Sequence, residues 1–145
     1  MMKFTPGMPL TMAAVIALTA VTAAVGQAAP PDRPVASADT ALAATGSQLY
    51  QQNCAECHTL DKGGDQMNGP NLWGVLGAKA GAKPDFPYSD ALKNSNIAWT
   101  DETMDKWLAS PPALVPDNMM GFIGLPRKED REAVIAFLKQ RTAAD

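Results

Sequence analysis

Two thiols three positions apart, followed at once by an imidazole, constrain this chain more than anything else in it: Cys54-Ala55-Glu56-Cys57-His58. The pattern is that of a c-type haem attachment site. The cysteines can add to the two porphyrin vinyl groups as thioethers, and the two residues between them span the distance between the vinyls. The histidine then lies under the iron and can ligate it from the proximal side. A chain carrying this motif is expected to build its core around a flat, apolar macrocycle.

The rival readings of the motif are weaker. A thioredoxin-like CxxC wants a βαβ setting, and none is visible. A structural zinc site needs four ligands, whereas the chain holds 2 cysteines and 1 histidine in all. A disulfide across two residues would close a tiny loop and add little stability. The 145 residues, 46% of them hydrophobic, suffice for one small domain. Aromatic content is low, at 6%, and a haem would supply the missing apolar core. The formal net charge is −3, with no basic run and no basic patch interleaved with aromatics. That excludes nucleic acid as an expected partner and favours a partner with a basic docking face.

Residues 1–28 carry the layout of a targeting segment. Lys3 is the only charge before Asp32, residues 10–25 are apolar and uncharged, and small residues offer cleavage after Gly26 or Ala28. The apolar run is shorter than the roughly 20 residues a membrane span needs. The expectation is a signal peptide, with a retained N-terminal membrane anchor as the alternative. Either places the domain outside the bacterial cytoplasm, in the periplasm or anchored to the periplasmic face of the inner membrane. Residues 29–45 are rich in alanine and proline, without an apolar period, and read as a linker. Residues 46–145 are expected to form the domain.

Within that domain the pattern is helical, and no segment reads as a strand. A first helix is expected from Gly46 to Cys54. Ser89 is placed to cap a short helical turn through Asn94. Thr100 is a good N-cap, followed by Asp101 and Glu102 in the first turn and by Met104, Trp107 and Leu108 on one face. Pro111-Pro112 should end that helix, with irregular chain to Pro126. A last helix is expected from Arg127 to Gln140, with Val134, Ile135, Phe137 and Leu138 as its apolar face.

The single histidine sharpens the question of the sixth iron ligand. If His58 is proximal, no second histidine can close the iron. Four of the methionines lie in the targeting segment, leaving Met67, Met104, Met119 and Met120. Met104 sits on a core stripe and Met67 in a polar loop. Met119 and Met120 lie in an irregular segment that can drape over a haem face.

The quoted pieces carry a family resemblance. Gly46 and Tyr50, the Cys54-to-His58 motif, Lys62-Gly63-Gly64, Gly69-Pro70-Asn71-Leu72, Tyr88-Ser89-Asp90-Ala91, Ile97-Ala98-Trp99, Trp107-Leu108 and the stretch from Pro116 to Leu125 occur in order. From Gly46 to Leu138 the chain resembles class I c-type cytochromes, mitochondrial and bacterial. The resemblance implies an all-α fold: a small class I cytochrome c fold in which helices and long loops wrap one covalently attached haem. It implies Met120, not Met119, as the ligand opposite His58, because of its spacing from Pro116 and Phe122. The Pro70 carbonyl would accept the His58 ring N–H, which fixes the imidazole. Tyr88 and Trp99 would hydrogen-bond a buried propionate. Asn118 would hold the propionate or the methionine side, and Trp107 would stand beside the sulfur. Gly46, Tyr50, Val134 and Phe137 would form the crossing of the first and last helices. Ala78 and Leu92 depart from the family pattern where basic and amide side chains are usual near a propionate. The usual ring of surface lysines is largely missing.

The function so implied is that of a one-electron carrier and not an enzyme. It would be a monomer shuttling electrons between respiratory or photosynthetic partners, such as a quinol–cytochrome c reductase-type donor and a terminal oxidase, reaction centre or dehydrogenase. The soft thioether of Met120 favours reduced iron and so raises the potential. Two alternatives stay open: a tethered electron-transfer subunit of a larger oxidoreductase, and a haem peroxidase or ligand sensor with a labile sixth site.

Overall fold

A serine begins the first helix. Ser37 Oγ accepts the backbone N–H of Thr40, and α1 runs over Ala38–Asn53. The computed structural model describes residues 37–142; the expected targeting segment, and the linker up to residue 36, lie outside them. The helix therefore starts eight residues before the expected Gly46 and takes in residues that read as linker. Their one large apolar side chain, Leu42, is exposed, whereas Ala43 and Gly46 are buried.

The remaining elements are short until the last. α2 spans Asp90–Lys93, capped by Ser89, whose Oγ accepts the Leu92 N–H. α3 spans Asp101–Ala109. Its Thr100 cap and Thr103 exchange hydrogen bonds in a capping box. Contrary to expectation, Pro111-Pro112 begins a new helical turn, α4, over Pro111–Leu114. Proline is tolerated at the first positions of a helix, where its missing N–H would have no partner anyway. α5 spans Lys128–Arg141, one residue along from the expected bounds. Among the described residues there is no strand; one isolated antiparallel bridge joins Lys79 to Ala98.

α1 crosses α5, and glycine makes the crossing possible. A Cβ at Gly46 would stand 1.9 Å from the Ala133 carbonyl oxygen and 2.8 Å from Phe137 Cβ. One turn later the Tyr50 ring packs on Phe137 with centroids 5.5 Å apart. Val134, buried to 1%, completes the expected crossing. The segment after α4 is tied back at its far end: Leu125 N–H donates to the Leu108 carbonyl at 2.7 Å. Gly124 makes that approach with φ +115°, and a Cβ there would lie 2.1 Å from the Ala109 carbonyl oxygen.

Arg131 locks α5 to α3 and to this segment. Its Nε and Nη2 donate to the two carboxylate oxygens of Asp105 at 2.8 and 3.4 Å. Its Nη1 donates to the carbonyls of Leu125 and Pro126. The Arg131 side chain is 12% exposed. Arg131→Met is expected to destabilise the fold by about 2 kcal/mol, between the values for exposed and for fully buried pairs. Urea unfolding would measure this; a loss below about 0.5 kcal/mol would place the pair among surface contacts.

Candidate functional site

The Cys54-to-His58 motif continues directly from α1 as a tight turn. Cys54 is the C-cap of the helix, and the N–H groups of Cys57 and His58 both donate to the Cys54 carbonyl. This turn sets both thiols and the imidazole on the wall of one cavity of about 300 Å³. The same cavity is lined by every residue the sequence nominated: Cys54, Cys57, His58, Pro70, Tyr88, Trp99, Trp107, Asn118 and Met120.

His58 is held from three sides. Its Nδ1 lies 2.7 Å from the Pro70 carbonyl oxygen, which assigns the proton to Nδ1 and leaves Nε2 with its lone pair. Among the described residues Nε2 has no partner. Burial lowers the imidazole's pKa, and the Pro70 bond opposes this only in part, so the ring is neutral at physiological pH, as a metal ligand must be. Gly69 packs against the ring face, where a Cβ would come within 2.4 Å of Cε1. From behind, Tyr50 Oη donates to the His58 carbonyl at 2.5 Å. Burial, with smaller contributions from Cys54 and Asp61, pushes the Tyr50 hydroxyl up to about 12, so it keeps its proton and its role as donor.

The loop holding Pro70 is itself anchored. Asn71 is buried, donates through Nδ2 to Thr59 Oγ1 and the Asp61 carbonyl, and accepts the Trp73 N–H on Oδ1. These bonds join the chain on either side of residues 61–69 and so fix the carbonyl that orients His58. The sequence motif GPNL contained Gly69 and Asn71, but their partners are set by tertiary approach and were not legible there. The Tyr50 hydroxyl bond was missed for the same reason.

The methionines separate by environment. Met104 is 5% exposed and belongs to the core, and Met67 is 48% exposed, both as expected. Met119 is 65% exposed, whereas Met120 is half-buried and packs on the core cluster. Asn118 organises this turn. Its Nδ2 donates to the Val115 carbonyl at 2.7 Å and its Oδ1 accepts the Met120 N–H at 2.9 Å. Both bonds run to backbone atoms of its own loop.

Trp99 and Trp107 are buried and lean on each other with centroids 5.3 Å apart. Among the described residues neither indole N–H has a protein partner, so both are available to a bound group. The Tyr88 ring meets Phe86 edge-on, and burial raises its hydroxyl's pKa. Burial likewise pushes the free Cys54 thiol up to about 11. The donor set of two thiols, one neutral imidazole and one half-buried thioether in a single apolar cavity fits a covalently attached haem.

The cytochrome c family model matches residues 43–142. A cytochrome c of Theileria parva is 44% identical over 98 residues, covering 68% of this chain and 84% of the relative. One from Chlamydomonas reinhardtii is 40% identical over 100 residues, covering 69% and 89%. A cytochrome c2 of Rhodomicrobium vannielii is 45% identical over 93 residues, covering 64% and 74%. With the helical fold and the two cysteines in place, these matches show that the chain belongs to the cytochrome c family: it is an all-α electron-transfer protein, not an enzyme, that carries a covalent haem c and exchanges electrons with other redox proteins.

Proposed function

We propose that His58 and Met120 are the two axial ligands of the haem iron, and that the protein carries single electrons between redox partners in the periplasm. The observation that carries the ligand assignment is that one cavity receives both the neutral His58 ring, held by Pro70, and the half-buried Met120 side chain. Cys54 and Cys57 would form the two thioethers. When bound, the haem supplies an iron that alternates between Fe(II) and Fe(III).

The chain's own residues prepare the site for that change. Pro70 fixes the imidazole tautomer and, with Gly69, its orientation. Asn118 fixes the backbone of Met120. Tyr88 and Trp99 would offer an O–H and an N–H to the haem carboxylates, and Trp107 would stand beside the methionine sulfur. The buried Trp99, Trp107, Val134 and Leu138 exclude water, which favours the less charged, reduced centre and raises the potential. With His58 and Met120 both given to the iron, the chain would leave it no site for a substrate.

The proposed partners are a quinol–cytochrome c reductase-type donor and a terminal oxidase, reaction centre or dehydrogenase as acceptor. The monomeric state is part of the same reading. Among the described residues no helix is long and apolar enough to cross a membrane. A tether, if present, would reside in residues 1–28. Mass spectrometry of the protein purified from its host is expected to find the chain cleaved after Gly26 or Ala28. Retention of residues 1–28 would instead support the tethered subunit. Absorption spectra of both redox states test the ligand pair: a weak near-infrared Met–Fe(III) band is expected, and its absence would overturn the Met120 assignment.

A further inference from the structure

The cavity has a charge pattern that its apolar lining conceals. Among the described residues no aspartate or glutamate lines it, and its only lysine or arginine side chains are Lys79 and Lys83. Lys79, an exposed residue, bridges to Ala98, the neighbour of Trp99, and the Lys83 backbone bonds the Tyr88 hydroxyl. The backbone under Lys79 is pinned by bonds between residues 77–80 and 97–99, such as Trp99 N–H to the Ala78 carbonyl at 2.9 Å. Lys83 is half-buried, and its Nζ donates to the Trp73 carbonyl at 2.7 Å. That bond uses one of three ammonium hydrogens and holds the side chain in place. Ala78 and Leu92, which also line the cavity, offer no donor.

A haem c brings two propionate carboxylates into this cavity. Carboxylates held in apolar surroundings need hydrogen bonds and opposite charge. Tyr88 and Trp99 supply hydrogen bonds only. Tyr50 is committed to the His58 carbonyl, His58 is neutral, and both cysteines are consumed as thioethers. We propose that Lys79 and Lys83 together supply the positive charge that keeps the haem carboxylates ionised, with Lys83 positioned for this by its bond to Trp73. The proposal rests on the covalent haem, whose presence in each variant the absorption spectrum reports separately.

The sign of the effect follows from charge. An ionised carboxylate favours Fe(III), so the potential falls as pH rises through the carboxylate pKa. Two ammonium groups lower that pKa, and they also favour Fe(II) directly. Removing them moves the inflection to higher pH and lowers the potential above it. The test is a potentiometric titration of purified holoprotein against pH for Lys83→Met, Lys79→Met and the double variant. In the double variant the inflection is expected to move up by roughly one pH unit, each single variant accounting for part of it and arginine at either position restoring it. Lys106→Met, which removes an exposed lysine paired with Glu102, should leave the profile unchanged. A merely structural role of Lys83 would alter stability without moving the inflection. A profile of the double variant that overlays the native one overturns the proposal. If the double variant yields no holoprotein, native profiles in both single variants overturn it equally.

Discussion

Replacing Met120 with alanine is expected to remove the near-infrared Met–Fe(III) band and to lower the reduction potential on the order of 0.2 V, within the roughly 0.8 V range that axial ligands command. A thioether is a soft ligand and stabilises the reduced metal; without it, water or another hard donor takes the position. The same change at Met119 should leave band and potential as they are, because that side chain is 65% exposed. The pair of variants makes the assignment decisive. Loss of the band in Met119→Ala, or its survival in Met120→Ala, would overturn it.

Alanine at Gly46 is expected to destabilise the fold by about 3 kcal/mol. The sign runs against helix propensity, since glycine-to-alanine in a helix interior ordinarily stabilises by about 0.5–1 kcal/mol. Here the new methyl would meet the Ala133 carbonyl oxygen at 1.9 Å. That atom belongs to the α5 backbone, so neither a rotamer change nor a small shift removes the clash, and α1 and α5 must separate. Denaturant unfolding of the holoprotein measures the loss. Equal or greater stability of Gly46→Ala would show that the crossing yields at little cost.

What the sequence revealed about this molecule follows the range of each interaction. Caps act within three residues, so Ser89 and Thr100 were readable, and the structure shows both as N-caps. The apolar face of α5 was readable because Val134, Phe137 and Leu138 repeat at helical spacing. The start of α1 was not, because its buried residues Ala43 and Gly46 carry no large apolar side chain to mark the face. α4 was missed because the proline pair that stops one helix can also open the next. Arg131 and Asp105, 26 residues apart, read as ordinary surface charges until folding brings them together. At the site, the motif and the family resemblance nominated residues that all reach one cavity. The second layer, Tyr50 on the His58 carbonyl and Asn71 across the 61–69 loop, depended on approaches that local spacing does not encode.

The meeting of α1 with α5 also bears on the order of events as the chain is made. The pentad follows α1 directly, whereas the helix that closes over Gly46 is the last of the five described helices in chain order. Domains form as units once their closing contacts exist. Until α5 is available, the groove at Gly46 has no occupant, and the thiols of Cys54 and Cys57 belong to an unfinished domain rather than to a cavity wall. Covalent modification of the pentad thus has a window before closure, set by the chain length between Cys57 and Lys128.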